Sequence, residues 1–201
     1  MPQALARQPE SFLSSVVFGQ RLLVLSDAHV GATLPEVEES LLAFLERAPT
    51  LGDCLLLNGD IFDFWFAYSR LIPRVGFHVA AEIRRVRKRM PVAMVGGNHD
   101  RWGEDFWERD LDVRFAPVRM ELRVGDRRVL AIHGDGVTES HWSAVLLQRI
   151  TRNPAFVTMW KHAPTAFAFW VVDQMTHSLG NTVREDEILR AASERQRAWG
   201  E

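Results

Sequence analysis

The sequence has a single cysteine and no long hydrophobic run, and both absences narrow the classes of protein that it can be. Cys54 stands alone among 201 residues, so an internal disulfide is excluded and a reduced, cytoplasmic setting is expected. The apolar segment 12–18 is too short and too poorly flanked for a secretory signal peptide, and no stretch has the length of a transmembrane helix. Cys54 itself lies in an apolar segment, which predicts a role in core packing.

The sequence also lacks an excess of charge of one sign. Its 24 basic and 26 acidic side chains give a formal net charge of -2, so neither nonspecific nucleic-acid binding nor any particular protein partner is expected. A chain of this length with 47% hydrophobic residues is large enough to bury a substantial core. We therefore predict one domain over residues 21–201, preceded by a loosely held arm over residues 1–20.

Polar side chains follow four of the predicted strands at the point where each strand ends. The apolar segments 21–25, 55–57, 92–95 and 129–132 predict buried strands. The residues that follow them are Ser26-Asp27-Ala28-His29, Asn58-Gly59-Asp60, Gly97-Asn98-His99-Asp100 and His133-Gly134-Asp135. An ordinary surface turn explains any one of these endings, but four in one chain favour a site at the carboxyl ends of the strands.

Two amphipathic segments connect the first three strands. The segment Glu36–Arg47 predicts a helix that begins with Pro35 in its first turn and ends before Pro49. The segment 77–90 has apolar residues at helical spacing and predicts a second helix. Its other face is basic, and we interpret it as a solvated face near a helix C-terminus rather than a lipid or nucleic-acid site. The basic residues are Arg84, Arg85, Arg87, Lys88 and Arg89.

The second half of the chain begins with a hairpin and continues as helices. Segments 118–124 and 127–132 flank Gly125-Asp126 and predict two antiparallel strands. Residues 138–180 predict a helical insert rich in Trp and Phe, and 182–201 predict a charged helix. Within the insert, residues 167–172 are apolar on too many sides for a surface helix. Deep packing and an apolar cap over a lipid ligand remain equal alternatives for this stretch.

The polar strand endings predict a site for two metal ions. Mixed carboxylate, amide and imidazole ligands suit Mn, Fe(II), Zn or Co better than Mg or Ca. Such a pair of ions would activate a shared water and neutralise charge on phosphate oxygens. In extended backbone, residues two apart point to the same side, so the first two ligands are expected to reach one ion. The predicted ligands are Asp27, His29, Asp60, Asn98 and His133, with Asp60 shared between the ions.

Two further residues are candidates for catalysis beside these ligands. His99 adjoins a ligand and carries an imidazole, which titrates near neutral pH, so it is the natural general acid for a leaving oxygen. Asp63 lies three residues beyond Asp60 and is expected to hold His99 in orientation.

Taken in order, the motifs Asp-x-His, Gly-Asp-x-x-Asp, Gly-Asn-His-Asp and His-Gly-Asp resemble those of the calcineurin-like metallophosphoesterase superfamily over residues 21–135. The resemblance implies an α/β/β/α sandwich with a helical insert and two divalent ions, with manganese the foremost candidate. It also implies that one ion is held by Asp27, His29 and Asp60. The other ion would be held by Asp60, Asn98 and His133.

The residues around Asp60 indicate a branch of this superfamily. Phe64-Trp65 stands where protein serine/threonine phosphatases have Arg-Gly, which argues against that branch. The same stretch and the long insert resemble the pyrophosphatases of lipid A synthesis, although their best-known branch has Arg at the position of His99. This resemblance implies a lipid-linked UDP-sugar substrate, a lid over residues 138–180 and peripheral binding to the inner leaflet of the inner membrane. Further candidates for substrate contact are Arg101, His141, Trp160 and Lys161.

The superfamily also has a late Gly-His-x-His motif, which is not found before Glu201. We therefore expect a chain that stops one strand early, with weakened metal binding and low activity. Two other functions remain open on the sequence alone. One is a metallophosphoesterase for a soluble nucleotide or phosphodiester, and the other is a catalytically inactive module that binds a lipid or a partner.

Overall fold

The structure is a computed structural model that describes residues 17–66, 71–103 and 105–134, together with residues 153 and 158. The chain divides into two compact units, Met1–Ala67 with Leu71–His133, and Tyr68–Arg70 with Gly134–Glu201. The helices and strands whose bounds the structure describes all belong to the first unit. The predicted helices over 138–180 and 182–201 lie outside the described residues, as does most of the predicted arm. The predicted division into an arm and one domain stays a prediction.

A parallel sheet forms the centre of the first unit. Its strands run side by side in the order β1, β2, β3, β4, and every neighbouring pair is parallel. The strands are β1 (Leu22–Leu25), β2 (Cys54–Asn58), β3 (Val92–Val95) and β4 (Arg114–Ala116). The predicted positions of the first three strands are confirmed, whereas β4, which follows a π-helical turn over Phe106–Asp110, was not predicted. Because parallel strands end at the same edge, the residues that follow β1, β2 and β3 are brought together there.

Two helices cover one face of this sheet, α1 (Pro35–Leu51) and α2 (Phe77–Arg87). Between them and the sheet lies a core that includes Leu45, Ile83 and Leu57, all fully buried. The apolar stripe predicted for the segment 77–90 was expected to include Phe77, but this side chain is 50% exposed at the first position of α2. Among the described residues, no helix combines the length and apolar character needed to span a membrane.

The predicted end of the first helix needs correction. Helix α1 begins with Pro35, as predicted, but continues through Pro49 to Leu51. Proline has no amide hydrogen, so Pro49 leaves one bond to the preceding turn unmade, and only Thr50 and Leu51 follow it in the helix. The Gly52 amide then donates to the carbonyl of Ala48 at 3.0 Å and closes the final turn. The proline therefore indicates roughly where the helix ends, but not the residue at which it ends.

A hairpin covers the other face of the parallel sheet. It consists of β5 (Arg119–Val124) and β6 (Arg127–Ile132), which pair antiparallel as predicted. A second core lies between the hairpin and the sheet and contains Leu56, Ala93, Val95, Met120, Leu122 and Ala131. Helices, parallel sheet and hairpin thus form three successive layers. This arrangement confirms the predicted α/β class. The second helical layer of the predicted α/β/β/α sandwich lies outside the described residues.

The basic face of α2 binds neighbouring backbone and acidic groups. Arg87 donates through Nε to the carbonyl of Asp112 at 2.7 Å, and both Arg84 and Arg87 lie within 3.4 Å of the Asp112 carboxylate. Arg85 pairs with Glu82 at 2.9 Å on the same helix. These contacts agree with a solvated face at the end of a helix.

An aspartate before β2 holds the start of β1. The amide of Arg21 donates to Asp53 Oδ1 at 2.8 Å, and the amide of Gln20 donates to the same oxygen at 2.9 Å. These bonds from Arg21 and Gln20 lower the pKa of the Asp53 carboxyl. The neighbouring Cys54 is fully buried, as predicted, and burial together with Asp53 raises the pKa of its thiol to about 12.

Asp53→Asn is expected to lower the melting temperature at neutral pH, and its difference from the wild type is expected to vanish in acid. Because the folded pKa of Asp53 lies below its unfolded value, the carboxylate stabilises the fold above the unfolded pKa. That contribution is lost as the pH falls through the folded pKa. Thermal unfolding of both proteins at stepped pH measures the difference. Asp126→Asn, at an exposed hairpin position, is the control, and a difference that persists undiminished in acid would contradict the assignment.

Candidate metal centre

Three of the predicted ligands lie in strained backbone. Asp27, His29 and Asp60 have φ angles of 56°, 45° and 52°, in the left-handed region that side chains rarely adopt. The turns that contain them are joined by hydrogen bonds from the Asp27 amide to the Gly59 carbonyl (3.1 Å) and from the His29 amide to the Asp60 carbonyl (3.0 Å). Strain of this kind persists only where surrounding structure imposes it, and it is concentrated at functional sites.

This backbone corrects one sequence-based expectation. Asp27 and His29 were expected in extended backbone, with both side chains on one side, but both residues are left-handed. After β1 the chain follows the turn after β2, to which the amides of Asp27 and His29 are hydrogen-bonded. An extended backbone would not follow that turn. As a result the two side chains enter different groups of ligand atoms.

The carboxylate of Asp60 is the common member of two clusters. In one, ligand atoms of Asp27, Asp60 and His133 all lie within 4.8 Å of one another. In the other, ligand atoms of His29, Asp60 and His99 do so. Asp60 is 4% exposed, and its Oδ2 lies 3.1 Å from His133 Nε2 and 3.9 Å from His29 Nε2. The position of Asp60 between both clusters agrees with its predicted place between two ions.

The imidazole of His133 is oriented by the backbone of β2. Its Nδ1 lies 2.8 Å from the carbonyl oxygen of Asn58, which only accepts, so Nδ1 carries a proton and donates. The other nitrogen, Nε2, therefore faces Asp60 and is the one that a metal would bind. A backbone carbonyl that fixes the tautomer of a histidine ligand is a common arrangement in metal sites.

The close contacts in this site shift three pKa values. Burial alone would lower the pKa of His133, but the hydrogen bond and charge of Asp60 outweigh it and raise that pKa to about 9. Burial would raise the pKa of Asp60, but the hydrogen bond and charge of His133 lower it. A hydrogen bond to Asp63 raises the pKa of His29 against the effect of burial. Asp60 is thus ionised, as a metal ligand must be.

His99, a member of the second cluster, is held at three points. Its amide donates to Asp60 Oδ1 at 3.0 Å, and its carbonyl accepts from the Trp65 amide at 3.0 Å. Its ring Nδ1 donates to the carbonyl oxygen of Asp63 at 2.5 Å and lies 3.6 Å from the Asp63 carboxylate. Asp63 therefore contacts the ring mainly through its backbone, and its carboxylate lies between the rings of His29 and His99.

The donor set fits divalent transition metals. Carboxylates and imidazoles converge from four segments of the chain, and mixed oxygen and nitrogen donors suit Mn, Fe, Zn or Co. Asn98 is exposed in the turn next to His99, while Arg101 is buried and donates through Nε to the Gly97 carbonyl at 2.7 Å. Their predicted roles, as ligand and as substrate contact, stay predictions. His141, Trp160 and Lys161 lie outside the described residues.

Sequence reasoning missed two features that hold the turns together. A Cβ atom at Gly97 would overlap Asp60 Oδ1, so only glycine permits the approach of the two turns. Asp100 is fully buried and accepts hydrogen bonds from the amides of Gly97 and Ile61. In the sequence, Gly97 and Asp100 are marked only by their place in the Gly-Asn-His-Asp motif. The motif does not show what each residue contacts.

The sequence matches the family model described as calcineurin-like phosphoesterase over residues 20–191, most of the chain. The chain belongs to the calcineurin-like phosphoesterase family. The resemblance inferred from the four motifs is thereby confirmed.

Curated relatives of this family member include proteins named UDP-2,3-diacylglucosamine hydrolase. The one from Porphyromonas gingivalis is 27% identical over 140 residues, covering 67% of this chain and 53% of the relative. The one from Stenotrophomonas maltophilia (strain R551-3) is 30% identical over 146 residues, covering 72% and 58% respectively. The chain thus spans little more than half the length of these two relatives. A crystal structure of a Pseudomonas putida nuclease matches 48% of this chain and 48% of its own chain, at 28% sequence identity. The TM-score of this match is 0.36, which is too low to support a conclusion.

Proposed function

We propose that this chain carries the active site of a metal-dependent hydrolase that cleaves a phosphoric anhydride or ester. The observation that carries the proposal is the convergence of two ligand clusters on the buried, ionised carboxylate of Asp60. Such a shared carboxylate is suited to hold two cations close together. Divalent ions bound there supply charge neutralisation to phosphate oxygens and activation of water.

Within this proposal the residues have separate tasks. Asp60 joins the two ion positions, and His99 gives a proton from Nε2 to the leaving oxygen. Asp63 fixes the ring of His99 through its carbonyl, so that Nε2 keeps one direction. The proposed cation ligands are Asp27, His29, Asp60, Asn98 and His133. Manganese is the proposed metal, in agreement with this mixed donor set.

We further propose that the substrate is UDP-2,3-diacylglucosamine, which would be cleaved to UMP and a lipid monophosphate. Support comes from the names of the relatives, which resemble this chain over about two thirds of its length or more. A diacyl substrate resides in a membrane, so the protein would work in the cytoplasm at the surface of the inner membrane. The proposed lid over residues 138–180 would shelter the acyl chains.

A comparison of two substrates tests this proposal. With Mn²⁺ present, the protein is expected to release UMP from UDP-2,3-diacylglucosamine in detergent micelles faster than it hydrolyses bis-p-nitrophenyl phosphate. The acyl chains and the pyrophosphate both offer binding energy that the small diester lacks. Hydrolysis of the diester alone would remove the lipid substrate and favour a soluble nucleotide or phosphodiester. Hydrolysis of neither would favour a binding module without activity.

His99→Gln is expected to lower kcat by about 10²- to 10³-fold while both metal ions stay bound. The glutamine keeps the backbone bonds to Asp60 and Trp65 but has no proton to give at neutral pH. Metal content by elemental analysis and steady-state kinetics separate the two roles. The matched control is His78→Gln, at an exposed position of helix α2, which should leave both the metal content and kcat unchanged. If His99→Gln loses a metal ion, His99 is a ligand and not the acid.

A further inference from the structure

Asp100 contacts backbone amides from two separate turns. Its Oδ1 accepts from the amide of Gly97 at 2.9 Å, within its own turn. Its Oδ2 accepts from the amide of Ile61 at 2.8 Å and, more weakly, from that of Phe62 at 3.4 Å, both in the turn after β2. The residue has no exposed surface, so it cannot touch a substrate. Its carboxylate is used entirely in joining the two turns.

The turn after β2 returns a similar bond. Asp60 accepts from the amide of His99 at 3.0 Å, so each turn supplies a carboxylate that binds the backbone of the other. We call this reciprocal pair, Asp60 with His99 and Asp100 with Ile61, the carboxylate clasp. The clasp therefore joins the two turns at two points, one through each side chain.

The two halves of the clasp are not equivalent. Asp60 Oδ2 faces His133 and His29, and Oδ1 accepts from the His99 amide, so this carboxylate would also be available to cations. Those of Asp100 are enclosed by protein and serve backbone amides. We infer that Asp100 is a positioning residue that fixes the Gly97–Asp100 turn against Asp60, and so sets the geometry in which the cations are bound. This inference rests on the proposed function.

The hydrogen bonds at this position require an acceptor at both side-chain oxygens, since Oδ1 faces the Gly97 amide and Oδ2 faces the amides of Ile61 and Phe62. An asparagine would place an NH₂ group against at least one of the amide donors, where only an acceptor fits. Asp100→Asn thus breaks one side of the clasp and changes little in volume.

The test compares Asp100→Asn with Asp126→Asn in the full chain. By isothermal titration with Mn²⁺, Asp100→Asn is expected to bind about 10- to 100-fold more weakly, the range seen when groups that orient metal ligands are removed. Its amide NMR signals for Gly97 and Ile61 should shift, while kcat falls and KM stays within about threefold. Asp126→Asn should match the wild type throughout. Wild-type Mn²⁺ affinity in Asp100→Asn, with those two amide signals shifted, would overturn the inference.

A second measurement needs no variant and covers the case in which Asp100→Asn fails to fold. In the metal-free wild type, the amides of Gly97 and Ile61 should exchange with D₂O at least about 100-fold more slowly than free peptide, because Asp100 holds both. Rapid exchange at either amide would overturn the inference. A different result would overturn the proposed function, namely the absence of Mn²⁺ binding by the wild type. In that case slow exchange of the two amides would still support the clasp.

Discussion

Asp60→Asn is expected to abolish binding of both metal ions and to reduce hydrolysis by at least about 10⁴-fold. Each ion contributes several kcal/mol of charge stabilisation to phosphoryl transfer, and Asp60 lies between both proposed positions. An amide keeps one oxygen but loses the charge that two cations would share. Titration with Mn²⁺ and a hydrolysis assay at saturating Mn²⁺ measure the two losses.

The fold should survive this substitution. The amide oxygen of the introduced asparagine can still accept from the His99 amide, and its NH₂ group can donate to neutral His133. Asp126→Asn makes the same chemical change at an exposed hairpin position and should alter neither measurement. One tight Mn²⁺ site remaining in Asp60→Asn would show that Asp60 is not shared, and the proposed arrangement of ligands would have to be redrawn.

Gly97→Ala is expected to lose Mn²⁺ binding and to destabilise the fold. The added methyl would overlap Asp60 Oδ1 and would lie 2.5 Å from the Asp60 amide nitrogen. Neither atom can yield, because the backbone of Asp60 and its carboxylate are both fixed by hydrogen bonds. The two turns must therefore move apart, at a cost of about 1–3 kcal/mol, the usual range for overpacking. Urea unfolding measures the stability, and titration measures the metal.

Gly125→Ala is the matched control for this prediction. Gly125 lies in the hairpin turn with a φ of 56°, and a methyl there would meet only the end of the flexible Gln20 side chain, at 3.1 Å. Left-handed alanine costs about 1–2 kcal/mol, so this variant also loses stability. Its Mn²⁺ affinity should be unchanged. Equal loss of affinity in both variants would mean that general destabilisation, and not the contact between the turns, controls metal binding.

The order of helices and strands could be predicted because each strand is a short apolar run and each helix has one apolar stripe. Leu55, Leu56 and Leu57 are buried because β2 lies between helices and hairpin, which explains a run with no alternation. The search for apolar runs missed β4, because its three half-buried residues, Arg114–Ala116, show no regular pattern of apolar side chains. The prediction from periodicity also failed at Phe77, which is exposed at the first position of α2 although its spacing matches the apolar stripe.

The convergence of the polar strand endings was also open to prediction, for a topological reason. Strands that are parallel and adjacent end at one edge, so polar residues after β1, β2 and β3 had to be neighbours once the sheet was parallel. The division of these side chains into two clusters could not be predicted. It depends on the left-handed φ angles at Asp27, His29 and Asp60, which aspartate and histidine adopt more readily than most residues but do not require.

The sequence by itself determined which side chains could meet and what chemistry they could share, because motif order and strand polarity follow directly from the chain. Only the tertiary structure decided how they meet. Hydrogen bonds between turns far apart in sequence set the backbone of Asp60, the tautomer of His133 and the burial of Asp100. Those bonds depend on distances between separate segments, and local sequence does not contain such distances.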